Sequence, residues 1–470
     1  MSGFAASLGQ VAAVLAVAAA AGWGVAAALV PRGRTARPER FAWGLAAGLA
    51  VVALSVPFAF ALRLPPGWLP FLLVSALAVL PARLLAARET VADPTPRPPD
   101  AAVAVFTAVL VAGLLAYALR ALTEPMWAND YLAIWGFKGK TFFTEGAVPQ
   151  RLFQWPSLSF SHPEYPLGLP FLYAGIAYLA GRWDDHAMAL LFPVLQAGTL
   201  LLLFGWLRRR GAGRTLALGA AALLSLFEPL YRGFTTGMAE VPISFALVLL
   251  GTSLCDRIDR TDRCASRRLV LASVLCAATK NEGLFFVAAG LIVAAISAFS
   301  RRGVFARAAA FLALPAALVA AAHRLLRGSL PLSDFDFSWL RRPAELLPRV
   351  GESVAAVLEN VSPLGWVGLA ALALMIAAGR PSPPGARLIA LAACGVAAYL
   401  FLPALAVRGP AWLVQTAFFR TTAALAPLLA AGVTARLIPL WPSGESSESG
   451  AGRAASARSP GAPRPSTRAS

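Results

Sequence analysis

The stretch VAAVLAVAAAAGWGVAAALV at residues 11–30 decides the fold class. It has no charged side chain, and as a helix rising about 1.5 Å per residue it matches the roughly 30 Å hydrocarbon core of a bilayer. Comparable apolar runs recur as far as residue 441. Spans are expected at about 8–30, 41–62, 68–87, 101–121, 187–207, 215–231, 240–255, 308–325, 361–379, 388–406 and 419–441, and the run 269–300 has room for two more. Composition points the same way, since 58% of the 470 residues are hydrophobic and only 14% are charged. Soluble domains run about a quarter charged, so a water-soluble enzyme is excluded. The expectation is an all-α polytopic membrane protein with about 13 transmembrane helices.

On a soluble chain a net charge of +18 would suggest a nucleic-acid partner. Here its placement gives it another meaning. The segments around 31–40, 82–100, 208–214, 256–268, 301–307, 380–387 and everything from Arg436 hold 26 Lys and Arg against 9 Asp and Glu. All other residues together hold 15 against 14. The positive-inside rule assigns the first set to the cytoplasm, and no nucleic-acid partner is expected. No Lys or Arg precedes the first apolar run, so that run reads as a retained helix rather than a signal peptide. The N-terminus is then extracytoplasmic and the C-terminus cytoplasmic. Abundant Ala and Arg fit a bacterial inner membrane. Residues 442–470, rich in Ser, Gly, Pro, Ala and Arg, read as a disordered cytoplasmic tail. Cys255, Cys264, Cys276 and Cys394 show no metal-ligand spacing and are expected to be free thiols.

Two segments need separate treatment. Residues 166–181 are apolar yet only about 24 Å long as a helix. If they crossed, the Arg208-Arg209-Arg210 loop would move to the outer face, so they are expected as a juxtamembrane helix in the outer interface. The run 269–300 is broken by Lys280-Asn281-Glu282-Gly283 and flanked by arginine pairs on both sides. It reads as a hairpin of two helices with a polar outer tip. Ionisable groups so placed are costly unless paired or wet.

With this topology the remaining polar residues gather on the outer face. The loop 122–166 carries Asp130, Lys138, His162, Glu164 and Tyr165 among many aromatic residues, and Glu240, Lys280, Glu282 and Arg420 follow on the same side. Each has a structural reading as well. Asp130 could cap a helix or make an Asx turn, and Glu240 could complement a helix N-terminus. Lys280 and Glu282 could simply neutralise each other, His162 could be an interfacial polar residue, and Arg420 could snorkel to the headgroups. Asp184-Asp185-His186 looks like a metal cluster but sits where a cap is expected.

The segments Trp127-Ala-Asn-Asp-Tyr-Leu-Ala-Ile-Trp-Gly-Phe-Lys138 and His162-Pro-Glu-Tyr-Pro-Leu167 resemble the first outer loop of the GT-C superfamily. These are membrane glycosyltransferases that use polyprenyl-phosphate sugars, among them protein O-mannosyltransferases and lipid A aminoarabinose transferases. Gly237-Met-Ala-Glu-Val-Pro242 resembles the family's second acidic motif, and Ala278-Thr-Lys-Asn-Glu-Gly283 its Thr-Lys-x-x-Gly helix break. The segment Trp412 to Arg420 is similar to one in bacterial RgtA/B/C/D-like members. His-Pro-Glu-Tyr-Pro-Leu departs from the usual His/Lys-Pro-Pro-Leu, and Glu240 stands where Asp is common.

The resemblance covers roughly 101–441, which gives a glycosyltransferase module there, a three-helix extension at 1–100 and the tail at 442–470. It implies an inverting transfer of a hexosyl or pentosyl group to a glycan, lipid or protein acceptor at the outer face of the bilayer. It also implies Asp130 as catalytic acid/base or metal-linked acid and Glu240 as the supporting carboxylate. Lys280, Arg420 and Lys138 would neutralise the lipid phosphate, while His162, Glu164, Tyr165 and Glu282 would contribute to substrate binding. A divalent cation, Mg²⁺ or Mn²⁺, held in part by Asp130, is the cofactor it allows. The competing readings are a polytopic transporter or flippase of lipid-linked sugars, an O-antigen ligase-like transferase, and a catalytically dead scaffold.

Overall fold

The computed structural model describes residues 2–33, 37–86, 101–231, 235–259, 264–299, 301–327, 335–361 and 382–440, with single residues between 369 and 377. The expected tail at 442–470 and most of the expected span 361–379 lie outside the described residues. Among those described, the chain is helical, and an isolated antiparallel bridge joins Phe335 to Ala406. The principal helices in chain order are α1 (Ser2–Leu29), α2 (Arg37–Ala61), α3 (Trp68–Leu84), α4 (Ala101–Thr123), α5 (Gly136–Glu145), α6 (Gly168–Ala180), α7 (Leu191–Arg209) and α8 (Arg214–Ser225). They continue as α9 (Glu240–Asp259), α10 (Ala265–Thr279), α11 (Glu282–Ala298), α12 (Arg302–Arg327), α13 (Pro343–Asn360), α14 (Pro383–Phe401) and α15 (Ala426–Leu437).

Among the described residues, seven helices are long and apolar enough to cross a membrane, or eight if the pair Pro410–Ala423 and Ala426–Leu440, bent by 46°, makes one span. The chain is a multi-pass, all-helical membrane protein. Helix α9 forms its centre, with all but two of its residues buried, and α7, α10, α11, α14 and α15 pack around it. Helices α3, α4 and α12 instead present large exposed apolar side chains such as Leu77, Leu119 and Leu318, as surfaces facing lipid do.

The first two helices cross through small residues. A Cβ on Gly22 would stand 1.8 Å from the Gly44 carbonyl oxygen, and one on Gly48 would stand 2.0 Å from that of Ala18. The spacings Ala18-x-x-x-Gly22 and Gly44-x-x-x-Gly48 therefore let the two backbones touch, as small-x-x-x-small pairs do in membranes.

The 269–300 run is two helices. Lys280 is extended (φ −155°, ψ 154°) and ends α10, and α11 restarts at Glu282. The arms approach so closely that a Cβ on Gly283 would lie 1.8 Å from the Cys276 carbonyl oxygen. Helix α6, expected at the outer interface, is buried over most of its length against α1, α2 and α5. Its leading flank meets Lys138 through His162, and its trailing flank meets Tyr131 through Asp185. Both flanks thus lie beside the same loop, at one end of the bundle.

Candidate functional site

Asp130 opens a π-helical turn, Tyr131–Trp135, which runs directly into α5. Tyr131 anchors that turn. Its hydroxyl donates to Asp185, which also accepts from Trp183 Nε1 at 2.8 Å. Burial, and then the Asp185 charge, hold the Tyr131 phenol well above its ordinary range. The Tyr131 ring lies where a side chain at residue 237 would have to sit, so a Cβ on Gly237 would meet it at 2.9 Å. Gly237 has φ +91°, a conformation open to glycine, and its carbonyl accepts from Tyr173 Oη at 2.8 Å. The loop before α9 is thus pinned from two sides, and Glu240 at the head of α9 is brought to Asp130.

The charges then form one continuous chain. Arg420 Nη2 lies 2.9 Å from Asp130 Oδ2, and its Nε lies 3.2 Å from Glu240 Oε1. Lys280 Nζ reaches Glu240 Oε1 at 3.3 Å and Glu282 Oε1 at 2.9 Å. Four separate stretches of sequence supply these five residues. Glu240 is 1% exposed and the Asp130 side chain 25%, so solvent reaches the chain of charges at Asp130. Glu240 Oε2 and Glu282 Oε2 are buried without a hydrogen-bond partner among the described residues.

The other expected site residues form an adjoining layer. Lys138 is fully buried, and its Nζ donates to the His162 carbonyl at 2.5 Å. Burial pushes its pKa down to about 7, against the opposing influence of Glu164. Lys138 therefore braces the loop and makes no contact with the Asp130 chain of ion pairs. His162 adopts φ +51°, unusual for a residue with a side chain. Its Nδ1 is 2.9 Å from Glu164 Oε1, and its ring stacks on Tyr165, which in turn stacks on Trp135. Asp184 caps the turn at 185–188 through Ala187 N at 3.1 Å, so this acid is a cap.

A cavity of about 350 Å³ lies between α2, α6, α9, α10 and α12. Its lining is apolar apart from Thr279 and His323. Asp130, Glu240, Lys280, Glu282 and Arg420 are not among the residues that line it. His323 Nε2 is hydrogen-bonding distance, 3.1 Å, from the Glu164 carbonyl oxygen. Volumes of roughly 300–1,000 Å³ are usual for ligand pockets.

Sequence reasoning missed a second network at the opposite end of α9, about 24 Å from Glu240 along the helix. Arg209 pairs with Glu39 at 2.9 Å and Asp256 at 2.6 Å. Arg210 pairs with Asp256 at 2.6 Å and Asp259 at 2.8 Å, and Arg268 with Asp256 at 2.7 Å. Arg387 also pairs with Asp259. Arg268 Nη1 and Arg267 Nη1 further donate to the carbonyls of Leu29 and Ala28. Arg209 and Arg210 are therefore internal ties as well as markers of sidedness. The available signal was the placement of Glu39, Asp256 and Asp259 inside otherwise basic segments.

Among the described residues, no group of three or more His, Cys, Asp or Glu side chains converges as a metal site would require. No family model, curated protein or solved structure matches the chain.

Proposed function

We propose that the protein is a membrane glycosyltransferase of the GT-C kind, moving a sugar from a polyprenyl-phosphate donor to a cell-envelope acceptor. The observation that carries this reading is the meeting of Asp130, Arg420, Glu240 and Lys280 in one chain of ion pairs. Two cations so gathered suit the phosphate of a lipid-linked donor. A carboxylate beside them with a quarter of its side chain exposed suits a proton acceptor. The site would face the extracytoplasmic side of a bacterial inner membrane, in a topology of 13 spans with the N-terminus outside.

In the proposed step the acceptor hydroxyl oxygen attacks C1 of the sugar from the face opposite the phosphate. Its proton passes to Asp130 as the C1–O bond to the phosphate breaks with its electron pair, so the configuration inverts. Arg420 and Lys280 stabilise the charge that builds on the leaving phosphate, and Glu240 holds both cations in place. The residues present do not fit a divalent cation, because Arg420 already bridges Asp130 and Glu240 and no third ligand converges on them. The step is therefore drawn without one.

The test is mass spectrometry of envelope glycans after deletion of the gene, with complementation by wild type or Asp130→Asn. A glycan lost on deletion and restored only by wild type is expected. Full restoration by a stably made Asp130→Asn protein removes Asp130 from the chemistry. Ion-coupled uptake into proteoliposomes without sugar transfer would replace the reading with a transporter.

A further inference from the structure

At the Asp256 end of the bundle, Arg209, Arg210, Arg268 and Arg387 pair with Glu39, Asp256 or Asp259. Arg40 stands apart from them. Glu39, its neighbour in sequence, is held by Arg209, while Arg40 makes no ion pair among the described residues and its Nε is buried without a hydrogen-bond partner there. What Arg40 does meet is an aromatic ring, with its guanidinium carbon 5.5 Å from the centroid of Trp23. The close crossing of α1 and α2 sets this up, since a Cβ on Gly44 would lie 3.2 Å from the Trp23 nitrogen. A guanidinium over a ring uses its face and keeps its in-plane N–H groups for oxygen acceptors. Arg32 is exposed and near enough for its charge to act on Arg40. The surroundings are those of a bilayer flank. Trp23 is 42% and Phe41 38% exposed, and Trp23 shares an exposed face of α1 with Ala13, Ala16 and Ala20. It lies six residues, about 9 Å, from the end of α1, at the depth where tryptophan gathers beside headgroups.

We propose that Arg40 and Arg32, beside Trp23, form a headgroup site for an anionic phospholipid, its phosphate on the two guanidinium groups and an acyl chain along the exposed face of α1. The site lies in the leaflet at the Asp256 end of the bundle, which is cytoplasmic in the topology expected from the sequence. It is at the opposite end of the bundle from Asp130 and does not depend on the transferase reading. Charge and place together decide the occupant. Two arginines, one of them without a carboxylate partner, suit a phosphate. The exposed Trp23 and Phe41 put that phosphate at the edge of the hydrocarbon, where a phospholipid presents it and a soluble anion does not.

The experiment is native mass spectrometry of the full-length protein in detergent micelles, titrated separately with dioleoyl phosphatidylglycerol and dioleoyl phosphatidylcholine, which share their tails and differ in net charge. Wild type is expected to retain phosphatidylglycerol in preference to phosphatidylcholine, and inorganic phosphate at the same concentration should leave that preference unchanged. Arg40→Ala and Arg40→Gln should each lower retention of phosphatidylglycerol by about fivefold, the equivalent of about 1 kcal/mol for one cation at a membrane surface. The glutamine keeps most of the side-chain stem and serves if the alanine variant does not fold. Arg32→Ala should lower retention in the same direction. Arg302→Ala removes the same charge from an exposed position at the start of α12 and should bind as wild type does. Wild-type retention by the Arg40 variants overturns the site. An equal loss in Arg302→Ala also overturns it, because the attraction would then belong to the basic end as a whole. Equal retention of phosphatidylcholine by wild type, or displacement of phosphatidylglycerol by inorganic phosphate, overturns the anionic phospholipid as occupant.

Discussion

Replacing Arg420 by alanine tests the chain of charges most directly. The guanidinium faces Asp130 at 2.9 Å and Glu240 at 3.2 Å. Without it, the three carboxylates Asp130, Glu240 and Glu282 share Lys280 as their remaining cation within the chain of ion pairs. Asp130 can rehydrate, because a quarter of its side chain is exposed. Glu240 cannot, and Lys280, its remaining partner at 3.3 Å, is held more closely by Glu282 at 2.9 Å. Removing one partner of a buried pair costs about 3–5 kcal/mol. The surviving Lys280 contact places Arg420→Ala near the lower end, at about 3 kcal/mol.

The same change should reduce turnover by about 10²–10³, the usual effect of deleting one group that stabilises a developing anion. The two effects separate in a double variant. Adding Glu240→Gln removes the stranded charge and should recover most of the lost stability while turnover stays low. Unfolding of the protein in detergent micelles gives the stabilities, and transfer of a labelled sugar gives the rates. Stabilities that add within about 0.5 kcal/mol would show the two residues to be uncoupled, against the contact between them. Wild-type turnover by Arg420→Ala would falsify the role of this arginine at the phosphate.

Lys138 predicts a pH dependence. Its folded pKa of about 7 lies below the 10.5 of an ordinary lysine, so between those values the unfolded chain binds more protons. Stability should rise as pH rises through that window, by up to about 1.4 kcal/mol per unit, and Lys138→Met should flatten the slope in unfolding measured across pH 7–10. At the helix crossing, Gly48→Leu meets the Ala18 carbonyl within 2.0 Å. It should cost at least about 1–3 kcal/mol, while Gly9→Ala, with open space around it, should be neutral; expression yield and unfolding read both. Asp256→Ala takes a carboxylate from Arg209, Arg210 and Arg268, of which Arg209 keeps Glu39 and Arg210 keeps Asp259, and should cost about 3–5 kcal/mol. Transfer assayed with a chelator should keep its rate, because Arg420 bridges the carboxylates. A loss reversed by Mg²⁺ or Mn²⁺ would restore the metal reading.

The membrane class was legible because a bilayer demands long uncharged runs, and residues 11–30 and 241–255 supply them. The break at Lys280 was legible because two charges and a glycine interrupt an apolar run. The same logic collected Asp130, Glu240, Lys280 and Arg420 on one face, and the structure brings them within ion-pair distance. The burial of α6 was not legible. Its length excluded a crossing, but whether a short apolar helix lies on lipid or inside protein depends on α1, α2 and α5, which are distant in sequence. The role of Lys138 was hidden for a related reason, since a lysine near a site reads as a phosphate ligand until its carbonyl partner is known. The cavity was also unreadable, because each of its walls looks like ordinary apolar helix.

The two charged networks at the ends of α9 are built from similar residues, and the contrast between them argues which one works on a substrate. Around Asp256 every cation is an arginine, and Asp256 meets three of them at 2.6–2.7 Å. Planar guanidinium groups hold carboxylates in fixed geometry, and this network also ties α1, α2, α7, α10 and α14 to α9. Asp256 is thereby left little for a ligand to take, although Arg210 Nε is buried without a hydrogen-bond partner among the described residues. At the other end a lysine is shared between two glutamates, and Glu240 and Glu282 each keep a buried oxygen without a hydrogen-bond partner among the described residues. Buried polar atoms are nearly always paired, and native proteins depart from that rule where function demands it. The Glu240 network is also the one reached from solvent through Asp130, a quarter of whose side chain is exposed. A substrate phosphate arriving there would take a share of Lys280 and Arg420 that the carboxylates already compete for. On the proposed function, the arginine-rich end of α9 serves the fold and the Glu240 end serves the substrate.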